Sequence, residues 1–523
     1  MKFFRLSPSD GLWIGGALIL RLVFLLCFYD HFVDDSYIFM RYAEHFTEGN
    51  GLVYNLGERV MGFTSLTYTL LVAALTLLFR GVSSSALMAG LNMTVFILFG
   101  LLIVRLVRGY VLRSSMLALF FFFFPFVDAS LSGMESFLFC LFLAATFISS
   151  DRGAWKLACL SAALAFATRP EGVFLLVPVL VLAAMRLPRR DFLVTVGGLA
   201  VMGGVVLLAL YGYYGSPIPH SMIAKSVLTN SLRWAGVESS LFQKAVMLAV
   251  GASDLYCRAL PLAARIGLGG ITALGLLLGL WGLSRIRERP TAALAVVFYL
   301  SVLVFYWLGN PVRIFSWYTI PTCFCFWFAA FSGLEKIAAR MVSPRGVRWL
   351  TLTVMGLCLL SNTALIHRLE TTAAHAGDLH RMAKILKRDY PEGRCLMIAD
   401  IGIVGYETGF RIVDLAGLVT PQAVAESTLK APSFGTLVEQ TSPDLICLKN
   451  NPLEAESIVE SMIRYRSFED ALQKGRFLRT YSPTNIGSSV CPFVFVRGAK
   501  PLFSPGVPPG ESLIGKGGDP KAP

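Results

Sequence analysis

About twelve apolar stretches run through the first 366 residues, near 11 to 29, 64 to 79, 86 to 104, 114 to 127, 135 to 150, 155 to 168, 172 to 185, 192 to 212, 265 to 284, 290 to 308, 317 to 334 and 348 to 366. A helix needs roughly 20 such residues to cross a bilayer, and several of these stretches are shorter. Only 15% of the 523 residues are charged and the mean hydropathy is +0.64, whereas soluble domains carry about 25% charged residues. The pattern excludes a soluble globular chain and predicts a mainly α, polytopic helical membrane protein.

The net charge of +13 does not point to nucleic acid. Lys and Arg sit in short loops between apolar runs, as the positive-inside rule produces. The basic clusters are Lys2/Arg5, Arg105/Arg108/Arg113, Arg152/Lys156, Arg186/Arg189/Arg190, Arg285/Arg287/Arg289 and Lys336/Arg340/Arg345/Arg348. They place the N-terminus on the cytoplasmic side and everything after about residue 367 outside. That arrangement needs an odd number of crossings, so about eleven stretches are expected to span and one of 64 to 79 or 86 to 104 is not. Lys2 and Arg5 precede the first stretch and no small-residue cleavage site follows it, so it reads as an uncleaved span. The expected location is the cytoplasmic (inner) membrane.

After Leu365 the composition becomes that of a soluble domain. Helical periodicity runs from His375 to Tyr390 and stops at Pro391, and Arg394–Ala399, Phe410–Val413, Asp444–Leu448 and Phe493–Val496 read as short buried strands. The organisation expected is a transmembrane domain over 1–366, a small extracytoplasmic α/β domain over 367–498, and a disordered Pro- and Gly-rich tail over 499–523. Seven of the ten cysteines lie in or beside apolar runs; Cys395, Cys447 and Cys491 do not, and none has zinc spacing. His375 and His380 are five apart, off the helical spacing for a shared metal.

This topology collects the unusual polar groups on the outer face. The loop 30–62 opens with Asp34-Asp35, where paired acids after a span either do chemistry or cap a solvated helix start. A carboxylate desolvated beside a like charge has a raised pKa and is suited to take a proton from a sugar hydroxyl. Arg41 and Tyr42 follow about two helical turns later, and Glu58-Arg59 come after the turn signals Asn50-Gly51 and Leu56-Gly57. Glu135 begins a span, Arg169 and Glu171 flank Pro170 at a hairpin tip, and His220, Lys225 and Arg313 are further polar groups on this side. A guanidinium fork such as that of Arg169 suits a lipid phosphate; local ion pairs and solvated loop charges are the structural alternatives.

Taken together, Asp34-Asp35-Ser36-Tyr37-Ile38, Arg41-Tyr42-Ala43, Gly49-Asn50-Gly51-Leu52-Val53-Tyr54-Asn55, Gly57-Glu58-Arg59-Val60 and Gly62-Phe63-Thr64-Ser65 resemble the first external loop of GT-C superfamily glycosyltransferases that use polyprenyl-phosphate sugars. Gly133-Met134-Glu135, Arg169-Pro170-Glu171-Gly172, Tyr214 through Lys225, Asp400 through Tyr406 and Asp414-Leu415-Ala416-Gly417-Leu418 extend the resemblance, most closely to relatives of the terminal arabinofuranosyltransferases. Met61 and His220 depart from it, standing where many relatives have an acid and an Asn. The resemblance implies a GT-C-like fold, a polyprenyl-phosphate-sugar donor, a glycan or glycolipid acceptor and transfer at the outer face of the lipid bilayer. Asp34 or Asp35 is then the base, with Asp34 preferred. Arg169, Lys225 and Arg313 are expected on the phosphate, His220 beside Lys225 at the phosphate or leaving group, Arg41, Glu58 and Glu135 on sugar or acceptor, and Tyr42, Arg59 and Glu171 elsewhere in substrate binding. No cofactor is required, and a divalent metal is compatible. The alternative function is a transporter or flippase of a lipid-linked sugar, which predicts internal repeats that the sequence lacks.

Overall fold

The computed structural model describes residues 7–27, 32–107, 110–225, 240–251, 262–282, 290–309, 315–341, 343–390, 393–423, 433–449, 451–454, 457–460, 463–484, 486, 488 and 490–498. Arg313 and the tail after 498 lie outside the described residues.

The membrane part is built from α1 (Pro8–Cys27), α2 (Asp34–Thr47), α3 (Leu66–Leu78), α4 (Ser84–Leu106), α5 (Arg113–Phe122), α6 (Phe124–Leu131), α7 (Ser136–Asp151), α8 (Trp155–Thr168), α9 (Val173–Arg186), α10 (Arg189–Tyr214), α11 (Leu241–Val250), α12 (Leu262–Gly282), α13 (Pro290–Gly309), α14 (Ser316–Met341) and α15 (Pro344–Asp389). Among the described residues five helices, α1, α4, α10, α13 and α15, are long and apolar enough to cross a membrane, or six if the bent pair α5 and α6 is one span. Several other apolar helices, such as the 13-residue α3, are shorter than a full crossing.

Local sequence accounts for the breaks. The expected stretch 114 to 127 is two helices bent by 45°, because Pro125 has no N–H and cannot continue the first helix. The carbonyls freed there are not orphaned: buried Arg21 donates to Phe121 O (3.0 Å) and Phe126 O (3.4 Å), and Asn362 donates to Phe122 O (2.8 Å). Ser65 and Ser343 cap α3 and α15, the latter followed by Pro344 in the first turn. Inside the bundle the phenylalanines interlock edge to face, Phe99 lying 5.2 Å from Phe137 and 5.5 Å from Phe324 between ring centroids. By contrast α10 buries none of its residues, an apolar surface that only lipid can cover.

Helix α15, 46 residues long, runs without interruption across residue 366 and carries the chain into the outer domain. That domain contains β1 (Cys395–Ile398), α16 (Gly402–Thr408), β2 (Arg411–Asp414), α17 (Phe434–Thr441), β3 (Leu445–Leu448), β4 (Ser457–Glu460), β5 (Ile463–Arg466), α18 (Ala471–Thr480), β6 (Tyr481–Thr484) and β7 (Phe493–Arg497). The main sheet has the order β2-β1-β3-β7-β6, with β1 parallel to β2 and β3 and β7 antiparallel to both neighbours; β4 and β5 pair separately. β1, β2, β3 and β7 form where the buried runs predicted strands. α16 and the turn after β2 both leave the C-terminal ends of parallel strands, the edge where α/β sheets present ligand-binding loops.

Candidate active site

The site is assembled around α2, whose polar sequence and buried face, Ser36 through Ala43, mark it as amphipathic rather than spanning. Val33 N–H donates to Ser132 O (3.2 Å), setting the start of α2 against the tip before Glu135. The far side of α2 packs on α16. Gly402 N–H and Ile403 N–H donate to Asp34 Oδ2 and Oδ1 (2.8 and 2.7 Å), so both carboxylate oxygens cap the α16 N-terminus. Buried Arg41 holds the other end: Nε donates to Tyr54 O (2.7 Å), one terminal nitrogen to Gly405 O, and the other to Phe410 O (2.6 Å). Gly402 and Gly405 make the approach possible, because a Cβ at either would collide with the Asp34 carbonyl or the Tyr54 hydroxyl.

The rest of loop 30–62 is fastened in the same way. Asn55 mimics a strand, donating to Ile412 O and accepting from Ile412 N–H, both at 2.9 Å. Tyr54 OH donates to Ile401 O (2.6 Å); Tyr42 OH donates to Val60 O (2.6 Å) and accepts from Gly62 N–H (2.8 Å). Glu58 pairs with Arg411 (2.6 Å) toward solvent, and exposed Arg59 lies 4.9 Å over the Tyr213 ring. Arg41, Tyr42, Glu58 and Arg59, expected around the substrate, are therefore engaged in holding the loop and the outer domain. Their polarity is consumed by backbone and surface partners.

On the near side of α2 opens a cavity of about 30 Å³, lined by Asp35, Glu135, Ser221, Lys225, Trp317, Tyr318 and Leu418 and walled by Phe39 and Phe63. By volume alone it accommodates about two waters. Behind it lies a buried charge chain. Arg169 donates to Glu135 Oε1 (2.5 Å) and Glu171 Oε1 (3.0 Å), and Tyr306 OH donates to the same Glu171 oxygen (2.9 Å). Its guanidinium also stacks on the Tyr318 ring at 4.4 Å, and Lys225 Nζ donates to the Tyr318 hydroxyl. Arg169 is thus saturated by two glutamates, while Lys225 reaches the cavity itself.

Several buried polar atoms here lack a hydrogen-bond partner among the described residues: Glu135 Oε2, Glu171 Oε2, Ser221 Oγ and His220 Nε2. Buried polar atoms are normally satisfied, so Glu135 Oε2 and Ser221 Oγ beside the cavity are acceptors and donors in waiting. His220 sits at the rim, its N–H donating to Met61 O (2.9 Å); burial lowers its imidazole pKa, partly offset by a contact with the Gly417 backbone.

Burial, then the Asp400 charge, raise Asp34 to about 7, the Ile403 and Gly402 N–H groups pulling the other way. Asp414 is likewise pushed by burial to about 7 against the N–H groups of Ala416, Leu418 and Val419, with Asp35 adding to the rise. Burial works against the Lys225 ammonium, but Tyr318 and Asp35 outweigh it and its pKa lies above the ordinary lysine value. No group of three or more His, Cys, Asp or Glu side chains among the described residues is arranged to hold a metal.

Trp317, Tyr318, Ser221 and Leu418 carried no assigned role in the sequence. Trp317-Tyr318 follow Arg313 at the start of α14 and read as interface aromatics, and an apolar Leu418 gives no polar signal.

The sequence profile of a domain of unknown function, DUF8728, matches residues 366–488. No curated protein matches the chain in sequence. Among solved structures the chain is similar to ArnT from Cupriavidus metallidurans bound to undecaprenyl phosphate, with 12% identity and a TM-score of 0.50 over 93% of this chain and 98% of that one. It is also similar to the archaeal oligosaccharyltransferase AglB from Archaeoglobus fulgidus in complex with an inhibitory peptide and a dolichol-phosphate, at 11% identity and a TM-score of 0.44 over 84% of this chain and 70% of that one. At such identity the likeness to ArnT is one of fold alone, that of a polytopic helical membrane protein with a small C-terminal α/β domain.

Proposed function

We propose that the chain is a membrane glycosyltransferase that moves a sugar, in the narrowest form a pentofuranose, from a polyprenyl-phosphate donor to a hydroxyl of a cell-envelope glycan or glycolipid. The reaction takes place at the non-cytoplasmic face of the inner membrane. The observation that carries this reading is one cavity that presents a carboxylate, Asp35, and a half-buried ammonium, Lys225, between apolar walls. Glycosyl transfer needs that pair: a base for the incoming hydroxyl and a cation for the departing phosphate.

In the reaction, Asp35 takes the acceptor proton as the acceptor oxygen bonds to the anomeric carbon. The bond from that carbon to the phosphate oxygen breaks, and the lipid phosphate leaves with its charge held by Lys225. Glu135 Oε2 and Ser221 Oγ are free to bond sugar hydroxyls. Asp35 is favoured over Asp34 because Asp35 lines the cavity, whereas Asp34 faces α16 and caps it. Arg169 acts behind the cavity by holding Glu135 and the Tyr318 ring.

The test is transfer of labelled sugar by the full-length protein in nanodiscs, from a panel of polyprenyl-phosphate sugars to cell-envelope oligosaccharides. Asp35→Asn is expected to lower the rate by roughly 10²- to 10⁴-fold. A folded Asp35→Asn protein that transfers at the wild-type rate removes Asp35 from the reaction.

A further inference from the structure

The turn that follows β2 belongs to the outer domain in sequence and to the cavity in space. Asp414 is fully buried, and its two oxygens accept from Ala416 N–H (2.7 Å) and Leu418 N–H (2.6 Å), while its own N–H donates to Thr420 Oγ1 (2.8 Å). A carboxylate satisfied in this manner fixes a tight turn as a rigid body. The fixed turn delivers Leu418 into the lining, opposite α2. Next to it the turn meets loop 30–62 without slack, since a Cβ on Gly62 would stand 2.5 Å from Val419 Cγ1 and 3.1 Å from Leu418 O. Two further attachments fix β2 and α16 relative to the cavity: the paired Asn55–Ile412 hydrogen bonds and the Asp34/Arg41 grip on α16.

These contacts do more than dock a neighbouring module. Asp34, Arg41, Tyr54, Asn55 and Glu58 attach one loop to residues 401–412 at one edge of the sheet, where a single surface patch would tether the domain, and Gly62 packs directly on the turn that closes the cavity. From this, and resting on the glycosyltransferase reading, we propose that the outer domain is part of the catalytic centre. Its 414–420 turn forms one wall of the cleft in which lipid phosphate and acceptor hydroxyl meet, and Leu418 limits the size of the group admitted beside Asp35. Leu418 is then a specificity-determining residue and Asp414 a positioning residue acting through it. A domain whose sequence profile carries no known function gains one: it shapes the acceptor side of the reaction.

The experiment uses full-length protein in nanodiscs with Leu418→Trp, which fills the cleft, and Leu472→Trp, at a position 70% exposed on the outer domain away from it. Transfer by Leu418→Trp is expected to fall about tenfold or more, with Leu472→Trp at the wild-type rate and both unfolding midpoints within about 2 °C of wild type. Wild-type transfer by a folded Leu418→Trp protein overturns the proposal and leaves the glycosyltransferase reading standing. Should the wild type transfer none of the sugars offered, a second measurement decides independently: modification of Leu418→Cys by a charged methanethiosulfonate, with and without saturating undecaprenyl phosphate. Protection of about fivefold or more supports the wall assignment, since a ligand seated in the cleft shields its lining; an unchanged rate overturns it.

Discussion

Asp34 and Arg41, two helical turns apart on α2, grip opposite ends of one helix, α16: the carboxylate sits on its N-terminal N–H groups and the guanidinium on the carbonyls of Gly405 and Phe410. Each charge complements the end of the helix dipole it meets. Removing the guanidinium strands two buried carbonyl oxygens, those of Tyr54 and Phe410, each costing about 1–3 kcal/mol if unpaired, while Gly405 O keeps its bond from Gly409 N–H. Arg41→Ala is therefore expected to destabilise the outer domain by about 2 kcal/mol or more, seen as a lower unfolding midpoint and faster proteolysis within residues 393–423. Arg41→Lys does not restore it, because an ammonium cannot reach three acceptors in a plane. A wild-type melting profile for Arg41→Ala would show the grip to be energetically idle.

Burial of Asp34 at this contact, with the nearby Asp400 charge, makes docking depend on pH. Asp34 is raised in the folded state to about 7 from an ordinary 3.8, so the native protein binds this proton more tightly than the unfolded chain. Its contribution to stability is fully present below about pH 4 and is lost as pH rises toward 7. Asp414, also near 7, has the same sign. Protection factors across α16, corrected for the intrinsic pH dependence of amide exchange, are expected to be higher at pH 5.5 than at pH 8, and Asp34→Asn is expected to reduce that difference while leaving the part due to Asp414. Equal slopes in the two proteins would assign the effect elsewhere.

Lys225 is predicted to govern affinity for the lipid phosphate. It is a half-buried ammonium bonded to Tyr318 and facing the cavity, and an ionised partner strengthens a hydrogen bond to phosphate roughly twofold over a neutral one. Lys225→Ala is expected to weaken undecaprenyl-phosphate binding by about 10- to 100-fold, a cost of roughly 1.5–3 kcal/mol for one charge-assisted bond. Titration of the lipid into protein in nanodiscs reads this directly, and unchanged affinity would place the phosphate away from Lys225.

Much of this was legible in the sequence, and the limits have physical causes. Hydropathy marks which segments are apolar but not where a helix bends, so Pro125 split a stretch that reads as continuous. Four of the strands were visible as buried runs; β4, β5 and β6 were not, since Ser457–Glu460, Ile463–Arg466 and Tyr481–Thr484 mix polar and apolar residues without such a run. The first loop announced itself through its acids, yet sequence cannot say what covers a carboxylate. The N–H groups that occupy Asp34 lie 368 and 369 residues away, so the adjacent Asp34 and Asp35 look equivalent until the fold separates them to opposite sides of α2. Arg169 drew attention as a fork suited to a lipid phosphate, with a local ion pair as the alternative; the fold supplies that pair with Glu171 and a second with Glu135, 34 positions earlier.

That double pairing yields a prediction about Arg169 itself. One guanidinium, 3% exposed, pairs with both Glu135 and Glu171 and lies under the Tyr318 ring that orients Lys225. Breaking a buried pair from one side leaves an uncompensated charge and costs about 3–5 kcal/mol, whereas neutralising both sides is far cheaper. Arg169→Met should therefore sharply lower the unfolding midpoint, and adding Glu171→Gln should recover a substantial part of the loss although it is a second substitution. Activity should not follow stability: without the guanidinium beneath it, Tyr318 no longer holds Lys225 in place, so the double variant should fold yet transfer poorly. A double variant less stable than Arg169→Met would mean that packing of the hairpin tip, rather than charge compensation, sets the stability of this site, because only charge compensation predicts a recovery.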